Sequence, residues 1–287
     1  MDKLLNNFFL IIFTLIFFTI LPLMYGDFAY ANDNLNHSSD NQVGKSDKNI
    51  HNIDQGSSII AIVIDDLGHS DKKLLPFLEL DVPLTLAFLP YPKKSRDLAK
   101  LAKKQGYEIL VHMPMEPLDK NIDPGPDALT SVLNIKDMKD SFRRNFKKID
   151  GAKGINNHMG SKLSLNKSAM EIIIGEVASR NLLYFDSVTV SGTYGWRIAE
   201  KRNIPFAKRD IFIDNVKDIE VISQQLKALE TKAIENGFSV GIGHPYSVTH
   251  KALSNWLHRI EGKGIKIVPL SEIAIKLCRC NNIIVND

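Results

Sequence analysis

Asp65 and Asp66 stand directly after six apolar residues, Ile59 to Ile64, in the stretch SSIIAIVIDDLGHS. A continuous apolar run rich in β-branched residues suits a strand buried on both faces. Adjacent carboxylates repel, and an unpaired buried charge is costly, so a pair at the end of such a strand calls for a neutralising partner. Four further titratable side chains end apolar runs: His112 in ILVHMPME, His158 in GINNHMGS, Asp186 in LLYFDS and His244 in GIGHPY. Carboxylates and imidazoles together form a ligand set for zinc or a similar divalent ion. A cation would remove the repulsion within the pair. One carboxylate would bind it, and the other would stay free to take a proton from activated water. The plainer reading is that Asp66 caps a helix beside a surface salt bridge, and that each strand-end histidine is a hydrogen-bonded structural residue. Three histidines and three aspartates, all at C-terminal strand ends, favour a convergent site.

The elements that must bring these residues together alternate between strand and helix. IIAIVI, LTLAFL, EILVH, GINNH, LLYFD, FSVGIGH and IKIVPL read as strands, and IPFAKR and IFID as extended segments. Between them, DKKLLPFLEL reads as a short helix broken by Pro76, and SRDLAKLAKKQG as an amphipathic helix capped by Ser95 and stopped by Gly106. IEVISQQLKALETKAIENG is the longest helix, ended by Gly237, and SEIAIKLC is a closing helix capped by Ser271. This alternation requires parallel strands with right-handed crossovers. The single glycine of DDLGHS is no dinucleotide-binding turn. Eight units in about 220 residues favour a distorted (β/α)7-8 barrel over an open doubly wound sheet, and a barrel gathers all strand C-termini on one face.

Other residues carry weaker signals. Glu116, four residues after His112, is placed to ligate a metal or bind substrate but opens a long proline-rich loop. Tyr246 and Trp196 offer rings for stacking on a sugar, with core packing the preferred reading for Trp196. His69 reads as loop, and His250 and His258 as solvent-facing beside a buried stripe of Leu253, Trp256, Leu257 and Ile260. Ser161 has no evident His–acid partner, so a serine hydrolase is not supported. Residues 1–31 read as a secretory signal: Phe8 to Met24 carries no charge, and Ala29-Tyr30-Ala31 supplies a cleavage site. An uncleaved anchor over 8–24 is the competing reading, and both place the rest outside the cytoplasm, in the periplasm or secreted. Residues 32–58 read as a disordered polar linker, and 59–287 as one domain. A net charge of +3 leaves no nucleic-acid footprint, and membrane contact is expected only through the N-terminal segment. Cys278 and Cys280 are spaced for neither a zinc pair nor a comfortable disulfide, so they read as tail residues.

IAIVIDDLG, VHMPMEP, NNHMGS, FDS and GIGHPY together resemble the divergent polysaccharide deacetylases, relatives of the NodB-type carbohydrate esterases. The resemblance runs from Ile59 to Ala274. It implies a distorted (β/α) barrel holding one divalent ion, zinc foremost, that hydrolyses an acetyl group, commonly an N-acetyl group, on a polysaccharide. The expected compartment points to peptidoglycan, and chitin-like or O-acetylated polymers fit as well. It makes Asp65 the catalytic base, Asp66 a metal ligand and His244 the general acid. Ordinary members carry two metal histidines four residues apart; here Glu116 stands four residues after His112, and His158 on the next strand end is the alternative third ligand. Asp186 and Tyr246 are left as substrate contacts, and the arginine-proline motif of ordinary members is missing. The competing functions are a catalytically silent barrel that binds glycan or a wall-remodelling partner, and a glycosidase using Asp66 and Asp186.

Overall fold

The computed structural model describes residues 57–278 and 280. The expected leader, and nearly all of the expected linker, lie outside these residues. Among the described residues one sheet runs through β1 (Ser58–Leu67), β2 (Thr85–Phe88), β3 (Glu108–Met115), β4 (Gly154–Met159), β5 (Leu183–Asp186), β6 (Phe206–Lys208), β7 (Ile211–Phe212), β8 (Phe238–Gly243) and β9 (Ile265–Ile267). The helices between are α1 (Asp71–Leu78), α2 (Ser95–Lys104), α3 (Ile135–Phe146), α4 (Lys167–Ala178), α5 (Gly195–Lys201), α6 (Ile219–Asn236), α7 (Ser247–Ile260) and α8 (Leu270–Cys278).

Every strand pair is parallel, as the alternation requires. The order is β6-β5-β4-β3-β2-β1-β8-β7, with β9 added beside the start of β1. The two edge strands, β6 and β7, are consecutive in the chain and separated only by Arg209 and Asp210. Edges that close in sequence must lie near each other, so the sheet curls round into a barrel. The link itself bridges the gap: Arg209 donates its backbone N–H to the carbonyl of Asp186 at the end of β5, and Asp210 donates to Val240 on β8. The result is a distorted barrel, closed where the β6–β7 segment leans from β5 across to β8.

Side chains alternate across a strand, which divides the barrel into inside and outside. Ala61, Val63, Leu110, Leu183, Phe185, Ala207, Val240 and Ile242 face inward and pack with Leu270, Ile273 and Ala274 of α8, which plugs one end. Ile60, Ile62, Ile64, Ile109, Val111, Ile155 and Tyr184 face outward beneath the helices. Each such fully buried aliphatic side chain contributes about 1.5–3 kcal/mol of burial free energy.

Several local expectations are corrected. Helix α1 passes through Pro76 unbroken, because a proline six residues into a short helix removes only the bond to the carbonyl of exposed Lys72. Ser95 is the first helical residue of α2 rather than its cap; Lys94 holds the cap position with a helical backbone. Ser271 lies inside α8 and gives its backbone N–H to Glu108 of β3. His250 is half-buried, edge-on to Phe77 with ring centroids 5.6 Å apart, while His258 is exposed as expected. Cys278 and Cys280, expected as unpaired tail residues, are joined as a disulfide with their Cα atoms 5.1 Å apart, a span disulfides use.

Candidate active site

The alternation that sorts the core also selects the site. Asp65 lies two residues beyond inward-facing Val63, His112 two beyond Leu110, and His244 two beyond Ile242. All three therefore point into the mouth of the barrel. Strict alternation would send Asp66 outward. Instead the pairing of β1 with β2 slips between Ile64 and Leu67, and Asp66 adopts a left-handed backbone with φ 57°. The irregularity turns Asp66 back over the barrel end, so two consecutive carboxylates serve one site.

Asp66, His112 and His158 form a cluster whose ligand atoms all lie within 4.8 Å of one another. Asp66 Oδ1 is 3.2 Å from His112 Nε2 and 3.0 Å from His158 Nδ1, and those two nitrogens are 3.1 Å apart. Among the described residues Asp66 Oδ1 is nonetheless a buried atom with no well-directed hydrogen bond. A buried carboxylate oxygen converging with two imidazole nitrogens, without a directed hydrogen bond to either, has the donor chemistry of a divalent-ion site. The donor set thus fits a divalent ion held by Asp66, His112 and His158. Glu116 is turned elsewhere: its carboxylate pairs with Lys162 at 2.6 Å and accepts from the Ser131 N–H at 2.7 Å, bracing the proline-rich loop.

The environments of the two aspartates differ sharply. Burial pushes the Asp65 carboxyl above its usual range, against the nearby His112 and His244 rings and the Asn156 hydrogen bond. Burial acts the same way on Asp66, but the adjacent His112 and His158 overcome it and hold this carboxyl well below the usual range. Carboxylates pushed apart in this way suit different jobs, a permanent anion and a proton acceptor. Burial opposes charge on His112, yet Asp65 and Asp66 raise it to about 9. Burial keeps His158 low, with the neighbouring His112 adding to the effect and Asp66 opposing it.

His244 stands across the cluster, its Nε2 3.9 Å from Asp66 Oδ2. Behind it lies Asp214, fully buried in its side chain, which accepts from His244 Nδ1 at 2.8 Å and from the His244 backbone N–H at 2.6 Å. Thr249 donates to the same carboxylate at 2.7 Å. Burial works against the charged His244 ring, but Asp214 and the two site aspartates outweigh it and raise its proton affinity. Phe212 and Tyr246 both stack with the ring, with centroids at 5.3 and 5.6 Å, so Tyr246 lies at the site beside His244.

Asp186 is not part of this cluster. It follows inward-facing Phe185 by one residue and so faces outward with Tyr184. Its carboxylate, buried and raised by that burial, accepts from the backbone N–H groups of Val188 and Trp196 and braces the loop between β5 and α5. The glycosidase reading loses its second carboxylate by this placement. Trp196 lies over Phe206 with Lys208 and Arg197 above its ring, away from the cluster.

Sequence reading passed over Asn156 and Asp214. Asn156 is fully buried; its amide donates to Asp65 Oδ1 at 2.8 Å and faces His112 Nδ1 at 3.0 Å. It stands two residues before His158, at the same inward parity, which was a usable signal. Asp214 ends IFID, a run short enough to pass for an edge strand with a surface acid.

Comparison with known proteins agrees with the geometry. Residues 62–274 match the family model described as divergent polysaccharide deacetylase. The uncharacterized protein YibQ of Escherichia coli K12 is 30% identical over 201 residues, covering 70% of this chain and 63% of that protein, so the chain spans less than two thirds of that relative. An uncharacterized Haemophilus influenzae protein is 29% identical over 218 residues, 75% of this chain and 76% of its own. The crystal structure of an uncharacterized Agrobacterium tumefaciens C58 protein superimposes with a TM-score of 0.73 at 27% identity, over 77% of this chain and 91% of that one. A parallel barrel with titratable residues gathered at one mouth, and a family match spanning nearly all of that barrel, lead to one conclusion: the chain belongs to the divergent polysaccharide deacetylase family.

Proposed function

We propose that this protein is a metal-dependent hydrolase that removes acetyl groups, N-acetyl groups foremost, from a polysaccharide of the cell envelope, working outside the cytoplasm. Zinc is the proposed ion and peptidoglycan one proposed substrate. The observation that carries the reading is the convergence of buried Asp66 Oδ1 with the His112 and His158 nitrogens, with Asp65 and His244 beside it.

A divalent ion bound by Asp66, His112 and His158 would supply Lewis acidity, polarising the acetyl carbonyl and lowering the pKa of water. Asp65 does the first proton transfer: its carboxylate, made more basic by burial, accepts a proton from the water that attacks the carbonyl carbon. The C–N bond then breaks, and the leaving nitrogen needs a proton. His244 provides it from Nε2, because Nδ1 is held by Asp214. The same contact stabilises the charged ring before transfer. Acetate and a free amine are the products. Phe212 and Tyr246 stack with the His244 ring and steady its plane.

The test is acetate release from N-acetylated glycan fragments by wild type, Asp65→Asn, His244→Ala and His112→Ala, with zinc content measured on each. Asp65→Asn and His244→Ala should keep bound zinc and lose on the order of a hundredfold or more in rate. His112→Ala should lose both. Full zinc occupancy in His112→Ala would contradict the ligand set, and undiminished rates in the other two would contradict the assigned roles.

A further inference from the structure

Asn156 occupies a place that the hydrolytic scheme does not use. Its side chain is wholly buried on β4 and lies between the proposed base and a proposed ligand. Each polar atom of the amide is engaged. Nδ2 donates to Asp65 Oδ1 at 2.8 Å and to Ser187 Oγ at 3.2 Å, while Oδ1 meets His112 Nδ1 at 3.0 Å. Its neighbour Asn157 accepts from the Ser187 backbone N–H at 2.8 Å, so the Ser187 end of the bridge is itself anchored.

The direction of the amide matters. An amide can sit either way round, and its partners decide which. Reversal would press Asn156 Oδ1 against the Asp65 carboxylate, two acceptors in a buried site, so the Asp65 oxygen fixes the orientation. With Oδ1 held toward His112, Nδ1 of that ring must carry its proton and donate. Nε2 is then the nitrogen whose lone pair is left, and Nε2 is the atom 3.2 Å from Asp66 Oδ1. Outer groups that orient a ligating imidazole in this way typically control metal affinity by 10–100-fold.

We propose that Asn156 is a positioning residue through which Asp65 controls metal binding: the oxygen of Asp65 orients the Asn156 amide, and the amide selects the tautomer of His112 that binds the ion. Base and ligand are coupled through one side chain, so the metal affinity of His112 depends on a residue that never touches the metal. The inference rests on Asp66, His112 and His158 being the ligands, not on deacetylation.

The experiment measures zinc affinity of the full chain by competition with a chromophoric chelator, with thermal melts confirming folding. Asn156→Leu should weaken zinc by roughly 10–100-fold. Asp65→Asn removes charge but keeps an acceptor oxygen for Asn156, whereas Asp65→Leu removes both. Affinity should therefore differ by about tenfold between Asp65→Leu and Asp65→Asn in the wild-type background, and hardly at all when Asn156→Leu is also present. The same ratio in both backgrounds would overturn the coupling. Asp65→Asn combined with Asn156→Asp swaps the two side chains and gives an independent check. The carboxylate at 156 accepts from His112 and from the amide at 65, so zinc should stay within about threefold of Asp65→Asn alone. A loss in this pair as large as that in Asn156→Leu, or no loss in either, would overturn the role. A chain that shows this zinc pattern but releases no acetate would leave Asn156 as assigned and refute deacetylation instead.

Discussion

Single residues divide the labour of this site through their surroundings. Asp66 is kept anionic by two imidazoles, while its neighbour Asp65 is made a better proton acceptor by burial. The metal-free cluster also has a proton to lose. His112 is raised to about 9, chiefly by the nearby Asp65 and Asp66 charges against an opposing burial effect, so at neutral pH the ring is protonated. A ligating imidazole must be neutral, so zinc uptake at pH 7 should displace that proton. Apparent zinc affinity should rise with pH and level off above about 9, and calorimetry in buffers of different ionisation enthalpy should detect the released proton. Affinity independent of pH between 6 and 8 would exclude the His112 assignment. Asp214 gives a second prediction at this scale. Asp214→Asn keeps the shape but removes the charge that steadies a protonated His244, so acetate release from amides should fall on the order of a hundredfold while zinc content is unchanged. A parallel loss of zinc would mean that Asp214 acts on the fold instead.

Elements decide which residues can meet. Much of the site was legible because a parallel barrel carries its strand C-termini to one face, and Asp65, His112, His158 and His244 all end apolar runs. Asp186 ends such a run too and still faces away, because a strand turns its side chains over at every residue and Asp186 has the outward parity of Tyr184. Counting back to the nearest inward residue would have separated it from His244. Asp66 shows the opposite case: its parity is wrong, and only the slip in pairing at β1 brings it in, a backbone feature that residue types do not announce. Glu116 stands close to His112 in sequence, but its partner Lys162 comes from a distant segment, so its role could not be read locally. Strand β4 supplies the clearest element-scale test. Gly154 pairs with Leu183 on β5, and a Cβ there would sit 2.3 Å from the Leu183 carbonyl oxygen, a backbone atom that cannot swing aside. Gly154→Ala should cost about 1–3 kcal/mol in denaturant unfolding and, because His158 rides on the same strand, weaken zinc binding as well. Unchanged stability would show that β4 and β5 are less tightly joined than the pairing implies.

At the scale of the whole molecule, one curled sheet does two jobs. Its interior is filled with apolar side chains and closed at one end by α8, while the opposite mouth carries the buried carboxylates and imidazoles of the site. The apolar filling gives a rigid frame, and the mouth is left with groups that are poor core residues but good chemistry. No helix among the described residues is long and apolar enough to cross a membrane. Work outside the cytoplasm therefore remains a proposal resting on the N-terminal segment and on the family, and intact-mass analysis of the exported chain, with an N-terminus near Asn32 expected, is its check. The activity proposed for this barrel is hydrolysis of an acetyl group with a bound metal. The most direct measurement is acetate released from N-acetylated glycan oligosaccharides, peptidoglycan fragments included, by zinc-loaded full-length protein and by the same protein after chelation. Acetate and free amine should appear in equal amounts from the loaded protein, and none after chelation until zinc is restored. Binding of the same oligosaccharides by fully loaded protein with no acetate released would contradict it and make the mouth of the barrel a recognition site.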